Sequence, residues 1–241
     1  MNRRMQNKNE GLQAHARVFG LFSSQLFIIL LIFIVSTIAF INLANLIWNN
    51  NQIQLEIDSM AFKFLDGEIS NSGMKMMKII TFLGSTGFLV TANIFLFVYF
   101  LYFTKHRWYS IKVPVVAIGS VVIMVLLKLF FERPRPESPF LMDVSGFSFP
   151  SGHSMSAMTF YGLLIFIISN GRIQKPRKYV MIGLLVILIL LIGSSRIYLR
   201  VHYLSDVLAG FLMGIIWLVF SLSALGLIEN YFERKRRNSL S

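Results

Sequence analysis

The chain has 241 residues, no cysteine, 55% hydrophobic side chains and a formal net charge of +12, with a mean hydropathy of +0.65. Such apolar content exceeds what one water-soluble core requires and indicates an integral membrane protein, while the absence of cysteine excludes disulfides from any loop facing outward. The basic excess does not indicate a nucleic-acid partner, because Lys and Arg fall between alternate apolar runs instead of forming one patch.

Six apolar stretches, near 24–47, 79–103, 112–132, 152–169, 179–197 and 206–228, are long enough or nearly so to cross a bilayer as helices, the fourth being the shortest. The expected architecture is therefore all-α, an integral membrane bundle of six transmembrane helices over 24–228, with basic cytoplasmic tails at 1–23 and 229–241. The first apolar run is too long for a removable leader and lacks a clear small-residue cleavage site, so it is expected to stay as a span. Arg3, Arg4, Lys8 and Arg17 precede it; Lys105, Arg107 and Lys112, then Arg172, Lys175, Arg177 and Lys178, and finally Arg234, Lys235, Arg236 and Arg237 mark the same side. These are most of the 23 basic residues. The positive-inside rule then places both termini in the cytoplasm and turns 49–78, 133–151 and 198–205 outward.

In chain order, residues 1–20 are polar and basic and read as a flexible tail able to touch anionic headgroups. The first span closes on Trp48 at interfacial depth, followed by Asn49, Asn50 and Asn51. Beyond it Ile53, Ile57, Met60 and Phe64 recur at helical spacing, which predicts a short helix in the outer interface within 49–78, serving either as a connector or as a lid and lipid-entry surface. Gly84 and Gly87 in the second span would admit a neighbouring helix closely. The third span runs outward to Lys128, where Pro134 and Pro136 forbid its continuation.

Lys128, Arg133 and Arg135 thus collect on the side where excess cations are disfavoured. Their side chains either snorkel to headgroups or hold an anion, and a tetrahedral phosphate suits a point-charge Lys beside a forked Arg. Pro150-Ser151-Gly152-His153 opens the fourth span. The first-turn N–H groups and the Ser151 hydroxyl form an anion cradle there, with His153 beside whatever is held. A serine hydrolase fits poorly, since no G-x-S-x-G elbow is present. Ser154, Ser156 and Thr159 read as structural.

Ser195 to Asp206 concentrates Arg196, Arg200, His202 and Asp206 where the last two spans meet. A solvated boundary loop would explain one such residue, but four functional groups at a span junction point to a site. If Asp206 opens the last helix, its carboxylate reaches the imidazole of His202 about one turn before it, fixes the tautomer and leaves the other nitrogen free to attack. Gly210 and Gly214 carry the small-x-x-x-small spacing of close helix packing. Hydropathy and charge alone bring three distant pieces to one face: the end of span three, the start of span four and the junction of spans five and six.

The three stretches, Lys128 with Arg135-Pro136, Pro150 to His153, and Ser195-Arg196 with His202 and Asp206, match K-x6-R-P, P-S-G-H and S-R-x5-H-x3-D at every fixed position. They resemble the tripartite signature of the membrane-bound type 2 phosphatidic acid phosphatases. That superfamily shares its helical core with vanadium-dependent haloperoxidases and bacterial acid phosphatases. The resemblance implies that His202 is a nucleophile forming a phosphohistidine, that Asp206 orients it, and that His153 protonates the leaving oxygen and later activates water. It implies that Lys128, Arg135, Ser151, Gly152 and Arg196 hold the phosphoryl oxygens, with no metal and no cofactor. Arg133 is left as an outer cation by the family spacing. Arg200 and Leu204 stand where many bacterial relatives carry glycine and proline, and Arg200 either contacts a second phosphate or headgroup or faces solvent.

The expected function is an integral membrane lipid phosphatase acting on the outer face of a cytoplasmic membrane. Its expected partners are the bilayer and a phospholipid or polyprenyl diphosphate substrate: phosphatidylglycerophosphate, phosphatidic acid or undecaprenyl diphosphate. A lipid phosphotransferase would use the same residues. A transporter would need polar groups in mid-span, where Asn93 and a few Ser or Thr are all that occur, and a haloperoxidase would give no reason for six spans.

Overall fold

A computed structural model describes residues 2–50, 54–137 and 145–239, with the backbone alone for residues 2–25. Among the described residues there are eight helices: α1 Asn2–Asn49, α2 Glu56–Asp66, α3 Asn71–Phe82, α4 Thr86–Tyr102, α5 Tyr109–Phe131, α6 Gly152–Asn170, α7 Lys175–Tyr198 and α8 Leu204–Asn238. Six spans follow from their length and composition, with α3 and α4 together making the second.

Two boundaries differ from the sequence expectation. α1 is already helical at Asn2 and α8 remains helical to Asn238, so helix extends through both basic segments expected as tails. Neither segment contains proline, and a span that is already helical propagates outward at little cost once nucleated. The second span starts at Asn71 rather than near 79, and it breaks at Leu83–Ser85. Ser70 caps α3 by accepting from Gly73 N, and Ser85 caps α4 by accepting from Phe88 N, so each piece begins with its own N-terminal signal.

The centre of the bundle is α6, whose apolar window is 44% buried against 11–28% for the other spans. Small residues allow this. A Cβ added at Gly210 would meet Ser151 O at 2.6 Å, and one at Gly214 would meet Met158 Cβ at 2.7 Å, so α8 lies directly on α6 as the small-residue spacing predicts. Gly84 likewise faces Ile192 Cγ2, at 2.5 Å from such a Cβ, whereas Gly87 meets nothing within 4 Å. Around this pair, α7 packs on α6, α1 on α8, and α5 on α4, α6 and α8. The long α1, α4, α5 and α7 present Leu, Ile, Val and Phe outward, as a lipid-facing surface requires.

The interfacial segment contains the expected short helix, α2. Ile57, Met60 and Phe64 are exposed on one face, Phe64 at 79%, while Ile53 lies outside the described residues. The opposite face carries Phe62, Ala61 and Leu65, which pack with Ile197, Tyr203 and Val207. Asp58 is fully buried on that inner face.

Candidate active site

The left-handed residue Glu132, at φ 46°, ends α5, and the following chain brings Arg133 and Arg135 over the end of the bundle. Ser151 caps α6, and its own N–H donates to Asp206 O at 3.0 Å, which locks the start of α6 to the start of α8. At that start Asp206 occupies the third helical position and accepts from Tyr203 N at 2.9 Å, so its negative charge sits at the positive end of α8. The turn between α7 and α8 is shaped by Val201 N and His202 N, which both donate to Arg196 O.

These caps deliver Lys128, Arg135, Gly152, His153, Arg196 and His202 to the wall of one cavity of about 650 Å³. His202 Nδ1 lies 3.4 Å from Asp206 Oδ2, the pairing expected from their spacing, at a separation longer than most hydrogen bonds. Its Nε2 lies 3.3 Å from Arg135 Nη1. Arg135 also donates to Gly146 O at 2.9 Å and Val201 O at 2.8 Å, while Lys128 donates to Phe147 O. Arg196 Nη1 donates to Thr81 Oγ1 at 2.6 Å, tying α7 to α3. Burial first, then the cations Arg135, Arg196 and Lys128, hold His202 well below the usual protonation range of histidine. A neutral imidazole facing three cations is able to attack an anion that those cations hold.

Below this cluster the cavity continues as an apolar crevice between α4, α5 and α6, past Leu89 and Ile94 to Phe97 and Val113. From Lys128 to Val113 the crevice follows α5 for about 22 Å at 1.5 Å per residue, the length of an extended lipid chain. Among the described residues, no group of three His, Cys, Asp or Glu is arranged to hold a metal ion.

Four of the singled-out residues lie off the cavity wall, Asp206 among them, fully buried behind His202. Ser151 is fully buried behind the wall, where its hydroxyl accepts from Ser154 N and from Ser154 Oγ at 2.9 Å. Arg133 does not line the cavity; it is fully buried and bridges two carboxylates, donating to Asp206 Oδ1 at 2.7 Å and Asp58 Oδ2 at 2.8 Å. Arg200 lies over the Phe62 ring at 5.1 Å and pairs with Asp66, away from the cavity. Its φ of 51° is the left-handed conformation that glycine adopts most readily. Asp58 was not singled out from the sequence at all. The available signal was its phase: it shares the inner face of α2 with Phe62 and Leu65, where an acid is out of place.

The fold agrees with the comparisons. Residues 109–227 match the model of the PAP2 superfamily. The chain is 33% identical over 146 residues to phosphatidylglycerophosphatase B of Bacillus subtilis (strain 168), an alignment covering 59% of this chain and 70% of that protein. It is 29% identical over 160 residues to undecaprenyl-diphosphatase BcrC of the same organism, covering 64% and 77% respectively. The crystal structure of a transmembrane PAP2 type phosphatidylglycerolphosphate phosphatase from Bacillus subtilis superposes with a TM-score of 0.71 at 26% identity, over 82% of this chain and 96% of that one. The chain belongs to the PAP2 superfamily. Within it, this is a multi-pass membrane lipid phosphatase.

Proposed function

We propose that the protein releases phosphate from a lipid phosphate monoester or diphosphate by way of a phosphohistidine on His202. The observation that carries this is that both histidines and the three cations line one cavity, which runs on into an apolar crevice of lipid-chain length. The phosphate group rests among Lys128, Arg135, Arg196 and the Gly152 backbone, with the lipid chain along α4 and α5. His202 Nε2 attacks phosphorus as the P–O bond to the lipid breaks, and His153 donates its proton to the departing oxygen. Water then attacks phosphorus, His153 takes the water proton, and the P–N bond breaks. The fixed cations favour the charge spread over the equatorial oxygens in both transition states. Asp206 holds the imidazole through Nδ1, and Ser151 acts by fixing the first turn of α6.

The charge distribution supports an outward-facing site with both termini in the cytoplasm, since most Lys and Arg flank the span ends opposite to those that carry Lys128, Arg135, His153 and His202. Phosphatidylglycerophosphate, phosphatidic acid and undecaprenyl diphosphate all present a phosphate followed by a long apolar body, and the first and last are named by the relatives reported above. The test is phosphate release from each of these lipids in detergent micelles by the wild type, His202→Ala and His153→Ala. Both variants are expected to lose activity by at least about a thousandfold while remaining monodisperse, as removal of a nucleophile or its proton partner does. His153→Ala is expected to accumulate acid-labile phosphoenzyme. Turnover by His202→Ala at the wild-type rate would refute the assignment.

A further inference from the structure

Beside the cavity, and closed off from it, lies a second ionic cluster. Arg133 and Asp58 are both fully buried. Arg133 Nη1 donates to Asp206 Oδ1 at 2.7 Å and to Ser205 Oγ at 2.7 Å, its Nη2 donates to Asp58 Oδ2 at 2.8 Å, and its guanidinium covers the Tyr203 ring at 4.2 Å. Asp58 accepts in addition from Ser205 N at 2.8 Å, Ser205 Oγ at 2.9 Å and Leu55 N at 3.1 Å. Two carboxylates therefore share one guanidinium, and the fully buried trio keeps one formal negative charge.

Docking of α2 does not require that charge. Phe62, Ala61 and Leu65 already bury an apolar face against Ile197, Tyr203 and Val207, and a buried ion pair is a poor source of stability in its own right. What the trio adjoins is His202, whose Nδ1 is 3.4 Å from the second oxygen of Asp206. On its opposite side the same ring faces the cations of the cavity. An imidazole that accepts a phosphoryl group at Nε2 while keeping its Nδ1 proton becomes a cation, and it does so among three others. A carboxylate fully neutralised by Arg133 would do little to offset that charge. A carboxylate that shares Arg133 with a second acid retains part of its own.

We infer that Asp58 is a positioning residue for the phosphoryl transfer: by drawing Arg133 toward α2, it leaves Asp206 enough negative charge to stabilise His202 as it becomes cationic. The inference rests on His202 being the nucleophile. It would place in the interfacial helix an acid on which the chemistry depends, without contact to the substrate.

The experiment is a double-mutant cycle on the full-length protein with a lipid phosphate substrate in micelles. Asp58→Asn keeps the shape and one of the two acceptor oxygens but removes the charge, so kcat is expected to fall about tenfold or more with KM changed less than about threefold. Adding Arg133→Gln returns the cluster to one net negative charge, and the double variant is expected to recover to within about threefold of wild type. A purely structural role predicts the reverse, a double variant at least as impaired as the single one, and that result would overturn the inference. Phe62→Ala separates docking from charge: it is expected to lower the melting temperature while leaving kcat within about threefold. Equal losses of kcat in Phe62→Ala and Asp58→Asn would also overturn the proposal. Should Asp58→Asn alone not yield a monodisperse protein, the double variant decides, activity near wild type supporting the inference and inactivity overturning it. His202→Ala run alongside distinguishes the two readings, because an active His202→Ala refutes the nucleophile itself, whereas an inactive one beside a normal Asp58→Asn refutes only the role of Asp58.

Discussion

Gly210 offers the most direct test that helix packing sets the site geometry. It lies one turn into α8 beyond Asp206, and a Cβ there would meet Ser151 O at 2.6 Å, Ser154 Cβ at 2.9 Å and Met155 N at 3.1 Å. Two of these are backbone atoms of the turn that carries His153, so no side chain can swing aside. An ordinary contact needs about 3.4 Å, and α6 and α8 must therefore separate by about 0.5 to 0.8 Å in Gly210→Ala. Overpacking of this kind costs about 1–3 kcal/mol. The Ser151 N–Asp206 O bond lies in the opened seam, so His153 and the His202–Asp206 pair move apart. A misplacement of half an ångström is expected to lower kcat by about tenfold, since about 1 Å can cost a hundredfold. The control is Gly226→Ala on the same helix, where an added Cβ meets nothing within 4 Å and helix propensity favours alanine by up to about 1 kcal/mol. Thermal unfolding in detergent and phosphate release from micellar lipid measure both effects. Identical melting temperatures and kcat for the two variants would refute the packing argument.

Two further outcomes follow from the cavity. His202 is held well below the ordinary histidine value of 6.5 when folded; the unfolded chain therefore takes up a proton that the folded one refuses, and stability falls as pH drops below 6.5. Relative to His202→Gln, the wild type is expected to lose up to about 1.4 kcal/mol per pH unit below that point, and a stability difference that is constant between pH 7.5 and 5.5 would contradict it. Ala117 lines the apolar crevice, so Ala117→Trp is expected to reduce turnover of long-chain lipid phosphates by about tenfold while sparing p-nitrophenyl phosphate, which has no chain to seat. Equal losses on both substrates would argue that the crevice holds no lipid chain.

The spans and most of the cavity wall were legible because each signal is local. Apolar length marks a membrane helix, Pro134 and Pro136 end α5, Ser151 caps α6, and the four-residue spacing from His202 to Asp206 needs only a helix start to become a contact. The break between α3 and α4 was obscured by the largely apolar run 79–83, after which the capping serine Ser85 is a faint mark. The position of Arg133 could not be read from its motif. Its charge suggested phosphate, but its partners are two acids 73 and 75 residues away in sequence. Ser151 was legible as a cap and as an anion cradle, and the structure puts its hydroxyl to the first use. Asp58 was hidden by the same non-locality: the exposed face of Ile57, Met60 and Phe64 carries the amphipathic signal, and the meaning of an acid on the opposite face depends on residues not yet met.

That separation has a consequence for biosynthesis. Ribosomes deliver the chain from its N-terminus, and Asp58 leaves the tunnel 75 residues before Arg133 and 147 before Ser205. Arg133 follows at the end of the third span, but until the final span begins to insert this acid lacks Ser205 and the cluster lacks its second carboxylate, so α2 is held by an incomplete set of contacts. An unfinished chain stalled anywhere before Ser205 also lacks Asp206, so nascent intermediates sit in the bilayer as inert helices, and hydrolytic competence arrives at the last insertion step rather than growing with length.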